Sequence, residues 1–409
     1  MTNKKHLTIF EAFAGYGSQY LALKKEAEDY KIKVDSLGMI EWYIPAIKAY
    51  THLHDLNYFL DYSYTEEEVK AINQLIFSND SKKPNKTNYL LTLNEDKKDL
   101  IVPYLLPFVR QPNNYISDIK NHNQPLPKDI DILTYSFPCQ DISNMGSKKG
   151  FADNSNTHSS MLWHIGRLLE LSDLDLRPKI LLMENVAALA SNKFDEDLNK
   201  WLLRLIDLGY RTKCEILDAG DFGSSQRRKR LFCVSWLENK FNNYFSFWDI
   251  NKWKNKYDNL IINHIINHEH NTPENNLFGK LIKPENLPEF KKNGDVISCK
   301  LQGLPLFNIE ASVFDPKGKG RTNIARSNVI KVKLQDNYIR SLKYDEVLRY
   351  MDLDQSEVDK ILKANLAPTH FYRIAGNSIC IKPLRAIFGL IIEFFNNNLK
   401  EDKTNKKGK

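Results

Sequence analysis

Residues 132–143 read Ile-Leu-Thr-Tyr-Ser-Phe-Pro-Cys-Gln-Asp-Ile-Ser. A short apolar run, expected as the strand Ile130–Ser136, feeds directly into Pro138-Cys139-Gln140, and a polar loop follows. This puts a single thiol at the end of a buried strand, the edge at which a parallel sheet presents its functional groups. Further on, Ile180–Met183 delivers Glu184-Asn185-Val186 in the same way. Outward from these two strands the chain alternates. His6–Phe13, Ser36–Ile40, Cys214–Leu217 and Leu231–Val234 read as strands, and Ser18–Tyr30 and Pro45–His54 as helices. In Asp197–Leu208 the apolar residues Leu198, Trp201, Leu202, Leu205 and Leu208 recur at helical spacing before the stop signal Gly209. Strands alternating with helices predict an α/β protein with a doubly wound, mostly parallel sheet.

At 409 residues the chain is long enough for two domains, and 42% hydrophobic with 27% charged residues is ordinary for a globular protein. No apolar run reaches the roughly 20 residues that span a bilayer, so no membrane partner is expected. The N-terminus enters a strand without a signal-peptide core. Five widely spaced cysteines do not predict a disulfide framework, and a reducing cytoplasm is the expected location. Cys214 and Cys233 fall inside expected strands and read as core residues. A net charge of +7 is compatible with a polyanionic partner, though part of it sits in a basic tail that reads as disordered. Two stretches break the alternation. Residues 59–115 read as an insertion, and residues 238–320, rich in Asn, Lys and Trp, lack the strand–helix pattern.

Three signatures occur in order: Pro138-Cys139-Gln140, Glu184-Asn185-Val186, and Gln226-Arg227-Arg228-Lys229-Arg230 before the strand Leu231–Val234. Each alone is weak. Together they resemble the DNA cytosine-5 methyltransferase family, over about residues 8–235 and 315–395, most nearly its bacterial members that methylate short CG-containing sites. The resemblance implies an S-adenosyl-L-methionine-dependent methyltransferase fold with a smaller target-recognition domain. It implies a first catalytic part at 1–237, a recognition domain at 238–365, a return to the catalytic domain at 366–400 and a tail at 401–409.

The glycine loop Phe13-Ala14-Gly15-Tyr16-Gly17 follows the first strand and opens a helix, which allows close approach of a ligand to the backbone. The same layout serves dinucleotides, but here the spacing is shorter than the dinucleotide fingerprint. Glu41 ends the next strand, where a carboxylate can accept hydrogen bonds from ribose hydroxyls, and Trp42 offers a face for an adenine. By resemblance, Asp118 and Ile119 meet the adenine, Pro138 borders the cofactor, and Gly376-Asn377-Ser378 closes the pocket. S-adenosyl-L-methionine is the implied cofactor, S-adenosyl-L-homocysteine the product, and no metal is implied.

Carbon 5 of cytosine is a poor nucleophile until a thiolate adds to carbon 6, and Cys139 is the expected nucleophile. Glu184 is expected at ring nitrogen 3, as a proton donor if burial raises its pKa. One of Arg228 and Arg230 is expected to meet the cytosine carbonyl or a flanking phosphate, and the other to hold Glu184 or the loop. The target carbon is hidden in a duplex, so the base must be flipped out, and the polar segment 140–160, with Gly146 and Gly150, reads as a closing loop. The resemblance places Gln140, Ser143 and Thr322 at the DNA, and Arg321, Arg326 and Lys331 are expected base readers.

Double-stranded DNA is thus the expected partner of a monomer, with a cognate restriction endonuclease as a functional partner. The chain departs from the family pattern at Gly320-Arg321-Thr322 and at Asp352-Leu353, which puts the transfer of any particular target sequence in doubt. An RNA cytosine-5 methyltransferase is the alternative with the same chemistry, disfavoured by the long region between Arg230 and Thr322. A silent DNA-binding regulator is disfavoured by intact Cys139, Glu184 and the arginines. A dinucleotide oxidoreductase explains the glycine loop but not Pro138-Cys139-Gln140.

Overall fold

The computed structural model describes residues 5–56, 63–138, 161–270, 287–301, 311–326, 329–334 and 338–399. Among them the strands are β1 (His6–Ala12), β2 (Lys33–Ile40), β3 (Tyr115–Ile116), β4 (Ile132–Tyr135), β5 (Ile180–Val186), β6 (Tyr210–Asp218), β7 (Gln226–Arg227) and β8 (Lys229–Leu237). All but β7 form one sheet in the order β3-β2-β1-β4-β5-β8-β6. The first five in that order run parallel, and β8 runs antiparallel between β5 and β6.

Alternation of side chains across the pleat explains why the strands read as continuous apolar runs. Leu7, Ile9, Ile132, Ile180 and Leu182 face one core, while Phe10, Ala12, Leu133, Leu181 and Met183 face another. The first face is covered by α1 (Ser18–Asp29) and α2 (Ile44–Leu53). After β2 come α3 (Glu66–Gln74), α4 (Glu95–Asp99), α5 (Val102–Leu105) and α6 (Pro107–Arg110), all within the expected insertion. The second face is covered by α7 (Leu162–Glu170) and α8 (Asp195–Asp207), whose Trp163, Leu168, Leu198, Trp201 and Leu205 fill the second core.

A second sheet, β14-β13-β11-β10-β9, is built from β9 (Lys291–Asn293), β10 (Val296–Lys300), β11 (Ser312–Phe314), β13 (Lys331–Lys333) and β14 (Ile339–Ser341). It falls in the region expected to form the smaller domain. The strand β12 (Gly320–Arg321) pairs in parallel with β7 and so ties that region to the catalytic body. The chain finishes with α9 (Tyr344–Arg349), α10 (Gln355–Leu362), α11 (Pro368–Asn377) and α12 (Ile381–Asn398).

Packing moves the return to the large sheet earlier than residue 366. Helix α10 lies against α2, and Lys25 of α1 bridges Asp354 and Glu357. The start of the expected smaller domain also packs on the large body. Phe241 stacks on Phe394 of α12, and Lys256 pairs with the buried Glu26 of α1. One cysteine expectation needs correction: Cys214 and Cys233 are joined in a disulfide. They are direct cross-strand partners of β6 and β8, with Cα atoms 4.0 Å apart. That pairing depends on strand register, which spacing along the chain does not reveal. Cys299 and Cys380 are free and buried.

Candidate active site

The chain leaves β1 for β2 and β3 on one side, then crosses to β4 and β5 on the other. The carboxyl ends of β1, β4 and β5 lie in register there, with Ala12 opposite Tyr135 and Tyr135 opposite Met183. Such a switch point leaves a crevice beyond the strand ends. A cleft opens there, and it runs from Glu41 and Trp42 past Phe13 and Gly15 to Pro138 and Glu184.

After β1 the backbone turns through left-handed residues, with φ 60° at Phe13, 59° at Gly15 and 80° at Gly17. Gly17 has a packing reason as well. A Cβ there would lie 2.2 Å from Nε2 of His54. At Gly15 a Cβ would meet nothing within 4 Å, so the backbone is bare towards the cleft. The Gly15 N–H donates to Oε2 of Glu41 at 2.9 Å, and the N–H groups of Trp42 and Tyr43 donate to Oε1 at 2.8 Å each. Burial pushes the Glu41 carboxyl above the usual carboxylate range, and these three N–H groups pull it back. Trp42 is half-buried at the cleft wall.

Glu184 stands at the other end. It is buried, and burial raises its pKa against the opposing influence of Arg230, Arg228 and Ser136. Arg230 Nε lies 3.1 Å from Glu184 Oε1. In the β5–β8 register Arg230 is opposite Val186 and Phe232 opposite Glu184, so Arg230 reaches diagonally to the carboxyl. Asn185 locks the two strand ends together: its Nδ2 donates to the Phe137 carbonyl at 3.0 Å, and its Oδ1 accepts from the Val186 N–H at 2.8 Å.

The two arginines do different work. Arg228 is buried and donates to the carbonyls of Asn323 (2.7 Å), Gly376 (3.1 Å) and Ser378 (2.7 Å). It staples the final motif to the segment after β12. A Cβ at Gly376 would lie 2.3 Å from the Ala325 nitrogen, so only glycine permits that close pass. Asn377 and Ser378 line the cleft in consequence.

Other expected residues lie elsewhere. Gly17 backs onto α2 and does not line the cleft. Ile119 is buried in the second core, and Asp118 accepts from the Lys120 N–H and from Asn121 Nδ2 within its own turn; neither lines the cleft. Thr322 donates its hydroxyl to the Arg227 carbonyl at 3.0 Å, while Arg321 and Arg326 are exposed. Lys331 is buried in β13, which removes it from the expected base readers. Cys139, Gln140, Ser143, Gly146 and Gly150 lie outside the described residues.

Sequence reasoning missed Gln19, Ser136 and Ser81, all of which line the cleft. Gln19 Nε2 donates to Ser136 Oγ at 2.7 Å, and Ser136 in turn hydrogen-bonds Glu184. The position of Gln19 on the first turn of the helix after the glycine loop was the available signal. Ser81 had none, since it arrives from the insertion. Among the described residues no group of three or more His, Cys, Asp or Glu side chains is placed to hold a metal.

A doubly wound sheet with a bare glycine turn, an acidic strand end and a buried carboxyl–guanidinium pair at its switch point defines a methyltransferase-type cleft. The family described as C-5 cytosine-specific DNA methylase matches residues 86–393. The chain is 35% identical over 394 residues to the orphan methyltransferase M.SssI of Spiroplasma monobiae, covering 95% of this chain and 97% of that one. It is 31% identical to the type II methyltransferase M2.ScrFI of Lactococcus lactis subsp. cremoris, covering 93% and 98%. Among solved structures, the S. pombe Dnmt2 methyltransferase shares the fold, with a TM-score of 0.58 at 15% identity over 96% of this chain and 100% of that one. The chain belongs to the C-5 cytosine-specific DNA methylase family and is a DNA cytosine-5 methyltransferase.

Proposed function

We propose that this protein methylates carbon 5 of a flipped-out cytosine in a short duplex DNA site, with S-adenosyl-L-methionine as methyl donor and no metal. The observation that carries this reading is the ion pair of Glu184 and Arg230 at the end of β5, at one end of a continuous cleft that has Glu41 and Trp42 at the other. The cleft suits the cofactor: Gly15 leaves the backbone bare, Glu41 offers an acceptor, and Trp42 offers an aromatic face. Bound there, the cofactor supplies an electrophilic methyl group on a sulfonium.

The chain's own residues do the rest. The Cys139 thiolate adds to carbon 6 of the ring, and the electron pair of the 5,6 double bond moves to give an enamine whose carbon 5 takes the methyl group. The proton then leaves carbon 5 to water, the Cys139 sulfur departs from carbon 6, and the double bond is restored. Glu184 meets ring nitrogen 3, where charge would otherwise build up, and its raised pKa favours the protonated form needed there. Arg230 orients that carboxyl. Gln19 helps to hold it through Ser136. Base reading falls to the region of the second sheet, where Arg321 and Arg326 are exposed.

A CG-containing target, a monomeric state and a cytoplasmic location complete the proposal; no described helix is long and apolar enough to cross a membrane. One relative is named an orphan methyltransferase and another a type II methyltransferase. Both roles are therefore open to test here, alone or with a cognate endonuclease. The experiment is expression in a host free of DNA methylation, followed by bisulfite sequencing of its plasmid. Protected cytosines confined to one short context are expected, and Cys139→Ser should abolish them. Complete conversion with folded protein present would overturn the DNA substrate and shift weight to RNA.

A further inference from the structure

The insertion between β2 and β3 does not hang off the fold. Its helices extend the core on the first face of the large sheet: Val69, Ile72, Leu90, Val102, Leu105 and Phe108 are buried in it, and Phe77 meets Phe108 edge-on. From this base a turn at residues 78–83 reaches back to the cleft. The Ser78 N–H donates to the Trp42 carbonyl at 2.8 Å, and the Ile44 N–H donates to the Ser78 carbonyl at 2.9 Å. Ser78 thus pairs as a short parallel bridge with Tyr43, directly after the acidic strand end.

The turn is braced internally as well. The carboxylate of Asp80 accepts from the N–H groups of Lys82 and Lys83, and the Ser78 hydroxyl donates to the Lys83 carbonyl at 2.6 Å. A second anchor comes from the far end of the chain. Arg373 of α11 donates to the Asp80 carbonyl, and His370 of the same helix hydrogen-bonds the Tyr43 hydroxyl at 2.7 Å. Helix α11 ends in the Gly376-Asn377 pair that closes the cleft. Three distant segments therefore meet at one place, and the residue that the insertion brings to the cleft wall is Ser81.

We propose that the insertion supplies a wall of the cofactor site, with Ser81 contacting the bound S-adenosyl cofactor beside Trp42 and Arg373 acting as the positioning residue that latches the turn in place. This rests on the reading of the cleft as the cofactor site. A surface insertion with no such duty need not bridge the strand end, nor be tied to the helix of the closing motif. Loops serve as binding elements when a rigid scaffold fixes them, and this turn is fixed from both sides. A hydrogen bond from a charged donor such as Arg373 is strong enough to hold a loop closed most of the time.

The test is calorimetric titration of S-adenosylhomocysteine into the full chain, alongside fluorescence anisotropy with a CG-rich duplex. Arg373→Ala frees the turn, and Ser81→Trp fills the wall. Each is expected to weaken S-adenosylhomocysteine binding by about tenfold or more while leaving duplex affinity within about twofold. Arg373→Lys, which keeps a cationic donor, should recover part of the loss. Parental S-adenosylhomocysteine affinity in both Arg373→Ala and Ser81→Trp overturns the inference and leaves the cofactor reading standing. Equal loss of both ligands also overturns it, by showing a general structural role. Failure of the folded parent to bind S-adenosylhomocysteine overturns the cofactor reading, and the inference falls with it.

Discussion

Glu184 and Glu11 are both buried carboxyls on strands of the same sheet, yet their surroundings assign them different duties. Glu184 has a guanidinium at 3.1 Å and opens on the cleft. Glu184→Gln keeps the shape and removes the transferable proton. Methyl transfer should fall by about 100-fold or more, in line with the loss of a general acid, with S-adenosylhomocysteine affinity unchanged; single-turnover transfer at parental rate would sink the role at ring nitrogen 3. Glu11 lies inside β1, where it accepts from the Tyr20 N–H at 3.0 Å and hydrogen-bonds Tyr50, both neutral groups. Burial pushes its pKa from 4.5 up to about 8. In the unfolded chain the carboxyl loses its proton near 4.5, while in the folded chain it keeps the proton to about 8. The stability it contributes is therefore full below the lower value and is lost as pH rises through the upper one, at about 1.4 kcal/mol per pH unit between them. Glu11→Gln removes that slope. Urea unfolding at about pH 6 and about pH 8 should show the variant gaining on the parent by on the order of 2 kcal/mol, and parallel pH dependences would contradict the assignment.

At the scale of elements, the arginines after β7 show how one run of sequence divides its labour. Arg228 sits in the break between β7 and β8, while Arg230 lies within β8. What separates them is the partners each meets: Glu184 for Arg230, and the carbonyls of Asn323, Gly376 and Ser378 for Arg228. Arg228→Ala leaves those carbonyls short of a donor in a buried setting. A loss of about 2–4 kcal/mol is expected, read by urea unfolding, together with weaker S-adenosylhomocysteine binding because the end of α11 is released. A stability change below about 0.5 kcal/mol would place the arginine with ordinary surface residues.

The whole molecule is held together by a few long-range polar knots set in apolar packing. The most buried is Arg340 with Glu346, both fully inaccessible, joined by two contacts of 2.6 and 2.7 Å. Glu346 also accepts from the N–H groups of Asn267 and Lys343, so one carboxylate gathers β14, α9 and the segment before residue 270. Removing one partner strands the other charge in a dry interior. Arg340→Ala should cost about 3–5 kcal/mol, seen as a lowered melting temperature. The double variant Arg340→Met, Glu346→Leu should recover part of this, but not all, because the two N–H groups lose their acceptor. If the single and double variants are equally unstable, the stranded charge is not the cause.

Much of this protein was legible from local sequence alone. Periodicity located most strands of the large sheet and the helices α1, α2 and α8 to within a few residues, because apolar spacing reports directly on which side chains a strand or helix buries. The motif at Pro138 also announced a strand end, since an apolar run that breaks off at a proline marks the edge of a buried sheet, whereas β5 runs on past Glu184 to Val186. Tertiary structure decided the rest. The disulfide of Cys214 and Cys233 follows from the antiparallel register of β6 and β8. Ser81 reaches the cleft only because a folded insertion carries it there, and Lys331 is hidden only because β13 lies inside its sheet. The split between Arg228 and Arg230 depends on partners 95 to 150 residues away for the one and on a neighbouring strand for the other. The physical reason is the same in each case. A chain segment encodes its own conformation through its neighbours in sequence, but its partners are chosen by register and packing among segments that meet only after folding.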